Sequence, residues 1–232
     1  HARNRVVEEA LSLGATKIAM FDDDEIVSEE WLVELHSALV KSGADGVCGT
    51  VCRLLPTRSP DLIKKLWGNS RNPPNATVPL MGTNNCLFSA KLVRADGLNI
   101  RFDHGFNFSG REDTAFSLDA QLKGAKFVAA PDAIAIEKFP PARCTFGYLM
   151  LRYFDTGVSD IKIAERYGFS KIRRTMRELV AIPLRLLSLP FVAIMGLKRP
   201  AHAVLMIAAS VGWLCGLFGK SSEYYLKHGG TP

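Results

Sequence analysis

Residues 3–13 place Val6, Val7, Ala10 and Leu11 on one side of a 3.6-residue repeat and stop at Gly14, which predicts a helix. Residues 17–21 form a short, mostly apolar run, as expected of a strand buried in an α/β sheet, and the run ends in Asp22, Asp23, Asp24 and Glu25. Ser28 is positioned to cap a second helix, with Glu29 and Glu30 in its first turn, a stripe of Trp31, Leu32, Leu35 and Leu39, and Gly43 at its end. Residues 46–54 and 81–89 read as strands, residues 111–123 as a helix ending at Gly124, and residues 127–136 as an apolar run interrupted at Pro131 and Asp132. This alternation predicts an α/β fold with a mostly parallel sheet flanked by helices. Residues 56–80 make a long Pro- and Asn-containing connection with about one helical turn near residues 62–67, and loops of that length inside a compact domain usually serve function.

After Pro141 the texture changes. Helical stretches at 146–154 and 159–167 lead to a basic cluster of Lys171, Arg173, Arg174 and Arg177. Two apolar segments follow, 179–197 and 203–218, separated by Lys198, Arg199 and Pro200. A spanning helix needs about 20 apolar residues. The first segment carries Arg185, Pro183 and Pro190, and the second is short. Two crossings would leave Lys198 and Arg199 on the side opposite a cytosolic domain, against the positive-inside rule; a hairpin dipping into one leaflet, or tilted interfacial helices, avoids that conflict. An ordinary buried helical hairpin is the other reading. The organisation expected is thus residues 1–144 as a catalytic domain, 145–178 as a helical basic connector and 179–232 as an apolar, membrane-associated hairpin.

Charge sharpens this picture. The 232 residues carry 29 Lys and Arg against 23 Asp and Glu, a net +6. The excess is C-terminal and coincides with the apolar segments, which points to an anionic membrane surface; no nucleic-acid-binding motif is present. Five scattered cysteines (Cys48, Cys52, Cys86, Cys144, Cys215) lack the spacing of a zinc site or a disulfide framework and fit a reducing compartment.

In open α/β sheets ligands bind at the carboxyl ends of strands, where Asp22, Asp23 and Asp24 fall. Adjacent carboxylates repel, so a divalent cation with a phosphate ligand is the economical partner: Mg²⁺ or Mn²⁺ takes one or two carboxylates and completes its shell with water and phosphate oxygens. A calcium loop fails, because counting from Asp22 puts Val33 at position twelve and counting from Asp23 puts Ser28 where the turn needs Gly. A solvated acidic loop before a helix is the alternative. A second constellation, Gly110-Arg111-Glu112-Asp113, opens a helix; a carboxylate there can act as a general base on a hydroxyl, or simply favour the helix dipole.

Together, Ala2-Arg3-Asn4, Phe21-Asp22-Asp23-Asp24-Glu25 followed by Trp31-Leu32, Gly82-Thr83-Asn84-Asn85, Gly110-Arg111-Glu112-Asp113, Glu137 with Pro140 and Arg143, and Arg152-Tyr153-Phe154-Asp155-Thr156-Gly157 resemble, in order and spacing, a family 2 glycosyltransferase of the GT-A fold, of the bacterial exopolysaccharide (succinoglycan) glucosyltransferase type. The likeness runs from about residue 2 to residue 157.

The resemblance implies a Rossmann-like GT-A domain and transfer of a sugar, with inversion, from a nucleotide-sugar, a UDP-sugar, to a glycan or lipid-linked oligosaccharide hydroxyl. It makes Asp24 the metal ligand, with Asp22 near the ribose or a metal-bound water, and Asp113 the base that deprotonates the acceptor. Arg3, Asn4, Asn84, Asn85, Glu112 and Arg152 join Asp22 in the substrate-binding set. Polymerising relatives carry Gln-x-x-Arg-Trp; here Leu149 and Tyr153 flank Arg152, which implies single-sugar transfer. The family opens on a strand and a turn whose Asp reads the nucleotide base. This sequence starts after that unit, so an N-terminally truncated chain with a missing first strand is expected, working on the cytoplasmic face of the cell membrane. Rival readings are a metal-dependent nucleotidyl- or phosphotransferase, for which no Walker-type phosphate loop exists, and a non-catalytic membrane-bound interaction module.

Overall fold

The computed structural model describes residues 2–67, 71–106, 109–194, 196 and 198–220. Residues 221–232 of the expected hairpin lie outside these. Contacts gather the chain into two units. The first draws on His1–Leu54, Asn69–Asn107 and Glu112–Lys138, and the second on Leu55–Gly68, Phe108–Arg111 and Phe139–Pro232.

The first unit holds α1 (Ala2–Ser12), β1 (Lys17–Phe21), β2 (Glu25–Val27), α2 (Trp31–Ser42), β3 (Gly46–Leu54), β4 (Asn85–Ser89), α4 (Glu112–Leu122) and β5 (Phe127–Lys138). Its five strands form one sheet in the order β1-β4-β3-β5-β2. The sheet is mixed, which corrects the expectation of a mostly parallel one: β3 and β5 pair in parallel, whereas β1/β4, β3/β4 and β2/β5 are antiparallel. β1, β3 and β5 do share a direction, as the alternation of helices and strands requires. The short β4, reached through the long excursion after β3, runs the other way between β1 and β3 and removes their direct parallel pairing.

Alternating strand residues feed two cores. Ile18, Met20, Cys86, Phe88, Phe127 and Ala129 pack with Val7 of α1 and with Phe116 and Ala120 of α4. Val47, Leu87, Ala130 and Ala133 pack on the other face with Trp31, Leu35 and Leu39 of α2. Pro131 and Asp132 do not break β5, because β3 steps past them with a register shift between Cys48 and Thr50. The predicted Ser28 cap also differs. α2 starts at Trp31 with no side-chain cap at Glu30, and the Ser28 hydroxyl is buried without a partner while its carbonyl accepts from Trp31 N–H.

The second unit holds α3 (Asp61–Leu66), α5 (Phe146–Arg166), α6 (Lys171–Ala193) and α7 (Lys198–Leu217). α5 is a single helix through both stretches predicted separately, and α6 runs unbroken through residues 178 and 179 despite Pro183 and Pro190. α5 and α7 cross closely because both lack side chains at the crossing: a Cβ on Gly157 would strike the Ala209 carbonyl, and one on Gly212 that of Phe154. One helix among the described residues, α7 over Arg199–Leu217, is long and apolar enough to cross a membrane, with a mean hydropathy of 1.6.

Candidate active site

The acidic turn sits where the sequence pattern places it, between β1 and β2. Asp22 C=O accepts from Glu25 N–H at 3.1 Å, closing a tight turn over Asp23 and Asp24. Asp23 and Asp24 project to the surface, Asp22 is half-buried, and Glu25 turns inward and is 7% exposed. β2 therefore begins with a buried carboxylate. Its oxygens accept from Asp22 N–H at 3.3 Å and from Asn84 Nδ2 at 3.4 Å, which ties the turn to the Gly82-Thr83-Asn84 segment before β4. Burial pushes the Glu25 carboxyl up to about 7, with the charges of Asp22 and Glu137 adding to the rise against the two hydrogen bonds; Glu137 stands opposite on β5, paired with Arg53 at 3.3 Å. Sequence reading gave Glu25 no role. It looked like the fourth member of an acidic run, and only its place as first residue of an inward-facing strand distinguishes it.

α1 brings Arg3 to the same turn. Its guanidinium lies 3.7 Å from Asp22 Oδ1 and also pairs with Glu112 in the first turn of α4. Glu112 and Asp113 sit where the helix dipole favours anions. Asp113 accepts from Thr114 N–H at 2.7 Å. Its charge is felt at Asp22, whose carboxyl is raised by burial, lowered by Arg3, and raised again by Asp24, Asp23 and Asp113. Arg3, Asp22, Glu112 and Asp113 thus form one electrostatic group in which carboxylates outnumber the cation. Asp22 and Asp24, with water and phosphate oxygens to complete a shell, are a donor set suited to Mg²⁺ or Mn²⁺. Among the described residues, no group of three His, Cys, Asp or Glu forms a full protein cage.

Two residues of the expected substrate set are occupied within the fold. Asn4 donates to Phe102 C=O at 2.8 Å and accepts from Phe102 N–H at 2.9 Å, so its amide fastens α1 to the segment before α4. Asn85 accepts from Trp31 Nε1 at 2.8 Å and donates to Thr50 C=O at 3.0 Å and Ala133 C=O at 2.9 Å. It fills the shifted register of β3 and β5, and Gly49 is required beside it, since a Cβ there would collide with the Asn85 amide. Asn84, by contrast, faces Glu25. Arg152 belongs to the second unit, where its guanidinium lies 5.3 Å from the centroid of the Trp67 ring.

No family model matches the chain. Over 140 residues, 60% of this chain, it is 29% identical to the succinoglycan biosynthesis protein ExoM of Rhizobium meliloti (strain 1021). The chain spans 45% of that relative's length. Two crystal structures of TarS from S. aureus also align. One has a TM-score of 0.41 at 14% identity, over 66% of this chain and 26% of that one. The other, TarS 1-349 in complex with UDP-GlcNAc, has a TM-score of 0.39 at 11% identity, over 94% and 71%.

Proposed function

We propose that the protein is an inverting, metal-dependent glycosyltransferase that moves one sugar from a nucleoside-diphosphate sugar, a UDP-sugar, to a hydroxyl of a growing, lipid-linked glycan in exopolysaccharide or cell-surface glycan synthesis. The observation that carries this reading is the convergence on Arg3 of the acidic turn after β1 and the first turn of α4, which sets Asp22 and Asp113 in one electrostatic neighbourhood. The likeness to a succinoglycan biosynthesis protein points the same way.

In this reading the Asp113 carboxylate takes the proton of the acceptor hydroxyl as that oxygen attacks the anomeric carbon. The bond from that carbon to the diphosphate oxygen breaks on the opposite face, the electron pair leaves with the nucleoside diphosphate, and configuration inverts. Asp24 and Asp22 are the residues that would hold the cation, which when bound neutralises charge on the departing diphosphate. Arg3 keeps the two acidic elements from separating under their own repulsion. Glu25 and Asn84 fix the turn from beneath.

Incubation with a panel of nucleotide-sugars, Mn²⁺ and a lipid-linked acceptor tests the proposal: one donor should yield free nucleoside diphosphate and a lengthened acceptor. Phosphoryl or nucleotidyl products, or no product from any donor, would overturn it.

A further inference from the structure

α6 is inside out by the standard of a helix in water. A water-facing helix buries its apolar stripe and presents polar residues to solvent. Here Arg174, Glu178, Arg185 and Ser188 turn toward the neighbouring helices. Glu178, 5% exposed, accepts from Arg177 at 2.8 Å and from Ser210 of α7 at 2.8 Å; Arg185 donates to Ser210 Oγ at 2.6 Å, and Arg174 lies 4.1 Å from the centroid of the Trp213 ring. The outward arc carries Ile172, Met176, Val180, Leu187, Phe191 and Ile194, with Leu187 70% and Phe191 73% exposed, and beyond the first two turns it is apolar. From residue 179 to residue 194 every exposed side chain on this helix and its C-cap is apolar.

The charges around this arc say what covers it. Lys171, Arg173 and Arg177 are exposed on its first two turns; Lys171 pairs with the exposed Glu165 of α5 at 3.0 Å and Arg177 with Glu178 at 2.8 Å, and both cations keep a solvent-facing side. The one carboxylate between Glu165 and Glu223 is Glu178, which is buried and already paired. A second copy of the chain docking here would set cations against cations, with Glu165, already paired with Lys171, the one exposed carboxylate between residues 160 and 220. A surface that is apolar inside and anionic at its rim meets both demands. We propose that α6 is an in-plane bilayer helix: its outward arc sinks below the headgroups of an anionic membrane, while Lys171, Arg173 and Arg177 engage lipid phosphates. α7, which is more apolar in composition, is largely covered by α5 and α6, so the membrane contact belongs to the less hydrophobic of the two helices. The surface needs no sugar donor, so it stands or falls apart from the transferase reading.

The test is flotation of the purified full chain with vesicles of phosphatidylcholine alone, or mixed with phosphatidylglycerol, at low and high salt. The protein should float with the mixed vesicles, more strongly at low salt. Leu187→Gln/Phe191→Gln should cut partitioning at least about tenfold through lost apolar burial. Lys171→Gln/Arg173→Gln should weaken the preference for anionic vesicles, by about fivefold for each cation removed. Leu32→Gln/Val33→Gln, which alters exposed apolar residues on α2, should change nothing. Wild-type protein that floats with neither vesicle, or unchanged flotation of the Leu187/Phe191 variant, would overturn the proposal. So would a wild-type dimer that this variant converts to monomer. If the Leu187/Phe191 variant fails to fold by circular dichroism, the Lys171/Arg173 variant decides: a reduced anionic preference supports the proposal and an unchanged one overturns it.

Discussion

Arg3 closes on Asp22 across 3.7 Å, from the first turn of α1 to the end of β1, and the same guanidinium pairs with Glu112. It is the counter-charge of a group that would otherwise spread. Arg3→Met keeps the stem and removes the charge, so the acidic turn and the start of α4 should separate. Misplacement on the order of 1 Å costs about 10²-fold in turnover, whereas melting should shift little because Arg3 is partly exposed. Steady-state kinetics beside thermal melting would check this.

Asp24 is exposed in the turn between β1 and β2. Asp24→Asn should leave circular dichroism unchanged, raise the Mn²⁺ concentration needed for half-maximal activity and remove most turnover. Metal titration of activity reads both.

Asn85 and Asn84 are neighbours with opposite fates. Asn85→Ala strands the Trp31 indole N–H and two carbonyls in the interior, each costing about 1–3 kcal/mol. Denaturant unfolding should show a loss of at least about 3 kcal/mol, with donor KM unchanged in the fraction that stays folded. Full stability with a large rise in KM would make Asn85 a substrate ligand instead.

Adjacent asparagines in one motif carry no sequence mark of which side chain enters the core, and that is why the site was only partly legible. Strand direction was equally hidden, since the apolar run of β4 reads the same whichever way it pairs. The alternation that announced β1, β3 and β5 could not reveal the antiparallel strand between two of them. What could be read were local signals: a buried run ending in Asp22, Asp23 and Asp24, and acidic residues opening α4 after Gly110. For α6, periodicity discloses two faces but not which one packs inward. The buried Glu178 and Arg185 fix that sign only once α7 is in place.

Glu178 also sets a pH dependence. Burial raises its carboxyl, but hydrogen bonds from Arg177 and Ser210 and the charges of Arg177 and Arg185 outweigh it, leaving the group below its ordinary 4.5. A depressed folded value means stability that is fully present above about pH 4.5 and is lost as pH falls through the folded value. Thermal midpoints should therefore drop below that pH. Glu178→Gln should melt lower than wild type at neutral pH, with the gap narrowing on acidification. A gap that widens in acid would show the sign to be wrong.

The most direct measurement pairs donor binding with transfer in wild type and Asp113→Asn. The substitution keeps the side chain's shape and removes the proton acceptor, so acceptor lengthening should fall by about 10²–10⁴-fold while calorimetric affinity for the nucleotide-sugar and Mn²⁺ stays within a few-fold. Retained transfer in Asp113→Asn, or a collapse of donor affinity that accounts for all the lost activity, would contradict the assignment of Asp113 as the base and with it the proposed transfer.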